Sequence, residues 1–184
     1  DNSDRFIADY NRELELTKEY NGRQLLELLQ NADDATSNEV LIDWNKNNLK
    51  LTISNKGEPF EAGGIKSLML ANLSTKTKIS YIGNKGLGFR SILNWAEQIN
   101  ISSNGCTISF SEEIAKNVFN NQLDLSNDKK NLLRNDRNLS AETIPFPVLA
   151  IPKIKETDNL SDWATSIEIT YRKEFETDIE NQLS

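Results

Sequence analysis

The chain has 184 residues, enough for one domain with a real core, and its 37% hydrophobic and 27% charged residues give the balance of a folded globular protein rather than a disordered one. A formal net charge of -7 offers no basic footprint for nucleic acid, and the lack of any histidine excludes a Ser-His-Asp triad, a Cys-His pair, a phosphoacceptor histidine and the usual zinc sets within the chain. The single cysteine, Cys106, rules out an internal disulfide, and no apolar run approaches the roughly 18 residues of a membrane span.

Residues 4–20 carry apolar side chains at helical spacing (Phe6, Ile7, Tyr10, Leu14, Leu16, Tyr20) and predict a helix that Asn21-Gly22 breaks. A second helix is predicted from Gly22 to Ala35, its apolar body formed by Leu25, Leu26, Leu28, Leu29 and Ala32. Strand-like runs at Val40–Trp44 and Leu49–Ser54, joined by Asn45-Lys46-Asn47-Asn48, predict a hairpin. Asn55-Lys56-Gly57-Glu58-Pro59 is a turn cluster, and a short helix is expected over Gly64–Asn72. Residues 73–86 read as a loop rich in Ser, Thr, Lys and Gly, followed by a helix from Leu87 to about Ala96 and strands at Gln98–Ser102 and Thr107–Phe110. The stretch 117–143, rich in Asn, Asp and Lys with few apolar anchors, reads as a variable insert or mobile loop. Strand-like runs return at Pro147–Ile151 and Ser166–Tyr171, and the tail 173–183 is expected to be helical.

This order predicts a single α+β domain over residues 1–184, a two-layer α/β sandwich with helices on one face of a mixed, mostly antiparallel sheet. The polar start DNSDRF shows no secretory signal, and the lone cysteine fits a reducing compartment, so a cytoplasmic location is expected, with the chain a piece of a larger protein.

Three segments carry chemistry. In Glu27-Leu28-Leu29-Gln30-Asn31-Ala32-Asp33-Asp34-Ala35, the residues Glu27, Asn31 and Asp34 stand at i, i+4 and i+7 and share one face of the helix. Buried charge is costly without a partner, so this stripe wants solvent, a cation or a ligand; a solvated outer face accounts for it equally well. In Ile82-Gly83-Asn84-Lys85-Gly86-Leu87-Gly88-Phe89-Arg90-Ser91, three glycines lead into the predicted helix. Glycine lets backbone approach an anion, and a helix N-terminus offers free N–H groups to phosphate. The spacing is neither that of a dinucleotide-binding turn nor that of a P-loop, so the loop alone is weak evidence, with a flexible turn and C-capping glycines as the alternative. In Leu51-Thr52-Ile53-Ser54-Asn55-Lys56-Gly57-Glu58-Pro59-Phe60, a strand delivers Asn55, whose amide suits a base edge, to a turn where Gly57 allows close approach to a flat ligand. Alone, this is an ordinary strand-ending turn. Lys76, Lys78, Lys85 and Arg90 add local positive charge, with Lys78 and Arg90 expected as scattered surface residues.

Together, in this order and spacing, LLELLQNADDA, ISNKGEPF and IGNKGLGFRS resemble the nucleotide-binding set of the GHKL superfamily, which includes DNA gyrase, the ninety-kilodalton heat-shock chaperones and histidine kinases. The match is nearest to the sacsin-like branch of the chaperone-type domains and runs from about residue 10 to residue 95, with a weaker echo at Trp163–Ile169. The resemblance implies a Bergerat ATP-binding fold that binds ATP or ADP with Mg²⁺. By position it implies that Glu27 is the general base for water, that Asn31 holds Mg²⁺, and that Asp34 is an acid of the pocket wall. Asn55 falls where an aspartate usually receives the adenine amino group, and Gly57 lies beneath the base. Gly83, Lys85, Gly86, Leu87, Gly88 and Phe89 fall in the phosphate loop, Lys76 in the lid, and Thr165 beside the adenine site. The chain departs from the pattern at Asn55, at Pro59 in place of a second glycine, and at Ala164 before the threonine.

The implied function is slow ATP hydrolysis that switches a larger, chaperone-like multidomain protein between shapes. Its implied partners are the nucleotide and the other domains of the same polypeptide, with ATP-dependent dimerisation, and neither nucleic acid nor membrane. The alternative is a non-hydrolysing nucleotide sensor or scaffold module, which the amide at Asn55 favours.

Overall fold

The structure, a computed structural model, describes residues 2–60, 64, 89–121, 127, 128, 131, 147–158 and 162–184. In chain order these form α1 (Asn2–Glu19), α2 (Gln24–Asp34), β1 (Val40–Asn45), β2 (Lys50–Asn55), a 3-10 helix (Phe89–Asn94), β3 (Ala96–Ser103) and β4 (Cys106–Ser111). There follow α3 (Glu112–Asn121), a short 3-10 turn (Val148–Ala150), β5 (Lys153–Glu156), β6 (Thr165–Tyr171), a second short turn (Lys173–Phe175) and α4 (Glu176–Leu183).

The strands pair into a six-stranded sheet in the order β1-β2-β6-β3-β4-β5. All of these pairings are antiparallel, so the described sheet is antiparallel rather than mixed. Register puts Leu51, Ile169, Ile99 and Phe110 in one cross-strand row and Ile53, Ile167, Ile101 and Ile108 in the next. Both rows face the same side, and Leu25 and Leu28 of α2, Phe89, Ile92, Trp95 and Ile179 of α4 pack against them as one core. Alternate residues serve the other face, which is polar. Ser54 and Ser166 share a hydroxyl contact at 2.8 Å, and Lys50 and Asn100 both reach Glu168. Period-2 alternation thus produces the expected two layers.

The α1 helix buries Glu13, Leu16 and Thr17, spaced to share a face. Asn94 Nδ2 donates to the Thr17 carbonyl at 3.0 Å and to Asn21 Oδ1 at 2.9 Å, tying the 3-10 helix to the α1–α2 corner. Gly22 turns that corner at φ +83°, a backbone state that favours glycine. Gln182 of α4 then caps α2: its Oε1 accepts from Leu25 N at 3.1 Å, and its Nε2 donates to Gln24 at 2.9 Å.

The structure departs from the predicted elements in four places. The helix expected over Leu87–Ala96 is a 3-10 helix over Phe89–Asn94, and Ala96 already belongs to β3. Four consecutive residues of it, Phe89 to Ile92, are buried. The strand expected at Pro147–Ile151 is a short turn, because the N–H groups of Val148 and Leu149 donate to the Glu13 carboxylate (2.8 and 3.2 Å) instead of to a neighbouring strand. A strand forms just beyond, at Lys153–Glu156, on the sheet edge with all four residues exposed and hence no alternation to read. Finally, α3 runs from Glu112 into the first residues of the expected insert, opened by Ser111 Oγ, which accepts from Ile114 N at 3.1 Å. The short helix expected over Gly64–Asn72 lies outside the described residues except for Gly64, as does most of 117–143.

The Glu13 carboxylate is only 5% exposed and binds two backbone N–H groups. Glu13→Gln keeps one good acceptor and loses the charge assistance. Chemical denaturation is expected to show a loss of about 1–1.5 kcal/mol, and an unchanged midpoint would mean that the carboxylate does not hold the 147–149 turn. No helix among the described residues is long and apolar enough to cross a membrane.

Candidate functional site

The two apolar rows of the sheet end in a polar one. Asn55 of β2 pairs with Thr165 of β6, which pairs with Ser103 of β3, which pairs with Cys106 of β4. These four continue the face that carries the core, so the helix-covered side of the sheet changes from hydrocarbon to hydrogen-bonding groups at this end. Asn55 is 6% exposed and Thr165 2%. Burial at that level requires hydrogen-bond partners. Asn55 Oδ1 accepts from Gly57 N at 3.1 Å, and its backbone carbonyl accepts from Ala164 N at 2.9 Å. Ser103 Oγ donates to the Ala164 carbonyl at 2.8 Å, accepts from Phe60 N at 2.8 Å and meets Thr165 Oγ1 at 3.0 Å.

The C-terminus of α2 sits directly on the turn that follows β2. Glu58 N donates to the Ala35 carbonyl at 2.8 Å. A side chain on Gly57 would place its Cβ 2.3 Å from that same oxygen. Glycine at 57 is therefore required by the helix end, whereas the sequence assigned it to a flat ligand. Asn31 lies one turn before Ala35, whose N–H donates to the Asn31 carbonyl at 3.1 Å, and Glu27 lies one turn earlier. The buried side of α2 is Gln24, Leu25, Leu28 and Ala32; Glu27 and Asn31 flank it, half-buried. Leu26 is 46% exposed, so the leucines of α2 do not all lie on its buried side. No hydrogen bond or ion pair engages the Glu27 or Asn31 side chain among the described residues. Asp34 is exposed and has an interaction of its own.

The structure thus brings Asn55, Gly57, Thr165 and the C-terminal end of α2 together at one end of the sheet. Lys76, Gly83, Lys85, Gly86, Leu87 and Gly88 lie outside the described residues, as does Lys78. Phe89 is described, and its side chain belongs to the hydrophobic core. Arg90 corrects an expectation: it is 1% exposed, not a scattered surface cation, and its carbonyl accepts from Thr17 Oγ1 at 3.2 Å.

Sequence reading missed Ser103, which gathers three contacts at this row; continuing the β3 alternation of Ile99 and Ile101 by one step would have found it. It also missed the bridge across the mouth of the turn, where Lys56 Nζ contacts Glu39 at 2.8 Å and lies 5.0 Å from the centre of the Trp163 ring. No protein-family model and no curated protein matches this chain.

Proposed function

We propose that this chain is a Mg²⁺-dependent ATP-binding domain of the GHKL type with a Bergerat fold, and that it hydrolyses ATP slowly to switch a larger multidomain protein between shapes. One observation carries the reading. The helix bearing Glu27 and Asn31 ends on the turn bearing Asn55 and Gly57, next to Thr165, at the polar end of an otherwise apolar sheet face.

Each residue then has a distinct task. Asn55 and Thr165 meet the base. Asn31, whose amide has no protein partner among the described residues, would hold Mg²⁺ through its side-chain oxygen. The ion, when bound, supplies charge neutralisation at the phosphates. Glu27, one turn away on the same side, orients and deprotonates water. A hard cation and a general base on successive turns of one helix share a wall without competing for the same atoms.

Calorimetric titration with ATP, with and without magnesium, tests the binding half. The wild-type chain is expected to bind ATP more tightly with magnesium, and Asn31→Ala to lose about tenfold of affinity in magnesium and little without it. A chain that does not bind ATP, or binds it with no response to magnesium in either form, overturns the proposal. The second reading, a sensor that binds without turnover, draws support from the uncharged amide at Asn55.

A further inference from the structure

We infer that Asn55 meets the bound base as a hydrogen-bond donor, so that the site takes purines through an acceptor atom and does not select the 6-amino group of adenine. This rests on the nucleotide-site reading above and specifies the base preference of that site.

A side-chain amide has one oxygen and one NH₂, and only the oxygen can accept from a backbone N–H. Gly57 N donates to Asn55 Oδ1 at 3.1 Å. That contact orients the amide, because turning it over would set Nδ2 against the Gly57 N–H, donor against donor. Nδ2 is left on the other side of the amide, with no acceptor among the described residues. A carboxylate here would behave differently: one oxygen could take the Gly57 N–H while the other accepted from a base amino group. The amide's only further acceptor capacity is the second lone pair of that same oxygen, beside the Gly57 N–H.

Thr165, the cross-strand partner of Asn55, is oriented by a similar constraint. Ser103 Oγ carries one proton, and that proton goes to the Ala164 carbonyl, which can only accept. In the contact between the two hydroxyls Thr165 is therefore the donor, and Ser103, which also accepts from Phe60 N, the acceptor. Thr165 keeps only lone pairs for a ligand. The polar row thus presents a donor at Asn55 beside an acceptor at Thr165. The hypoxanthine edge is complementary, with O6 accepting and N1–H donating. The adenine edge is complementary when shifted by one atom, with N7 accepting and the amino group donating. Neither base leaves a buried partner unpaired, which is the penalty on which strong base discrimination depends.

The test is calorimetric titration of the 184-residue chain with Mg-ATP and Mg-inosine triphosphate, repeated on Asn55→Asp. The wild-type chain is expected to bind the two within about threefold of each other, since each base satisfies both groups. Asn55→Asp replaces the donor with an acceptor and is expected to swing the ratio by about tenfold or more toward ATP. Wild-type binding at least tenfold tighter for ATP overturns the inference, and so does a ratio that Asn55→Asp leaves unchanged. If the variant does not fold, the wild-type ratio decides alone. If neither triphosphate binds, the nucleotide-site reading fails and this inference falls with it; adenine-selective binding overturns the inference and leaves that reading standing.

Discussion

Glu27→Ala is expected to leave ATP binding within about twofold of wild type and to lower the steady-state rate of phosphate release by about 10²–10⁴-fold, the usual contribution of a positioned general base. At the lower end, that is about 2.7 kcal/mol of barrier. The two readouts separate because Glu27 is assigned to water and not to the nucleotide. Its carboxylate is half-buried beside the core-facing side of α2 and engages no described group, so its removal breaks no described hydrogen bond or ion pair. Alanine is also the best helix former, so α2 itself is not weakened. Glu27→Gln is the sharper control: it keeps the shape and the hydrogen-bonding reach and removes only the basicity, and it is expected to be nearly as inactive as Glu27→Ala. Phosphate release that is equal in wild type and both variants, with ATP still bound, would make this a binding module. A variant that lost binding and turnover together would assign Glu27 to the ligand instead of to water.

The residues that made the fold legible are those whose neighbours in space follow from local period. Leu51 and Ile53, then Ile167, Ile169 and Tyr171, alternate cleanly, and the strands through them emerge with bounds close to those predicted. The polar row was not legible, because it exists only once β2 lies against β6, with Asn55 and Thr165 in register although 110 positions apart. No local pattern encodes that pairing. Elsewhere a tertiary partner overrode a local signal. The apolar run 147–151 reads as a strand until Glu13, far away on α1, takes its N–H groups. The stretch 89–94 reads as an α-helix but folds as a 3-10 helix, with Phe89, Arg90, Ser91 and Ile92 buried in succession. The β5 strand left no trace because an exposed edge strand needs no apolar side. The α3 helix did leave one that went unused: Ser111 followed by Glu112 and Glu113 is a capped, acid-rich helix start. In the candidate site, Glu27, Asn31, Asn55 and Thr165 were singled out from sequence, but the state of each hydrogen-bonding atom was not. That Asn55 Oδ1 is already occupied by Gly57 N is a property of the folded turn alone.

Gly57→Ala is expected to destabilise the chain by about 2–4 kcal/mol, summing an overpacking cost with the loss of one hydrogen bond, and to abolish nucleotide binding. For a domain of this size that corresponds to a melting temperature lower by roughly 5–15 °C. The added Cβ would lie 2.3 Å from the Ala35 oxygen, 2.9 Å from the Ala35 carbonyl carbon and 3.0 Å from its Cβ. Two of these are backbone atoms at the end of α2, so no rotamer change relieves the overlap. The turn must move off the helix. Movement breaks the 2.8 Å bond from Glu58 N to Ala35 O, and it withdraws the Gly57 N–H that orients Asn55. Stability and binding are thereby coupled through one contact. Gly22 supplies the contrast. It has φ +83° but nothing within 4 Å of its would-be Cβ, so Gly22→Ala meets backbone strain without overlap and is expected to cost only about 1 kcal/mol. It is also far in sequence from the polar row and is expected to bind ATP as wild type does. Thermal melts with calorimetry on both variants separate the two causes. Equal losses of stability and retained binding in both would mean that glycine at 57 serves its own backbone conformation, and that the end of α2 does not set the geometry of the Asn55 turn.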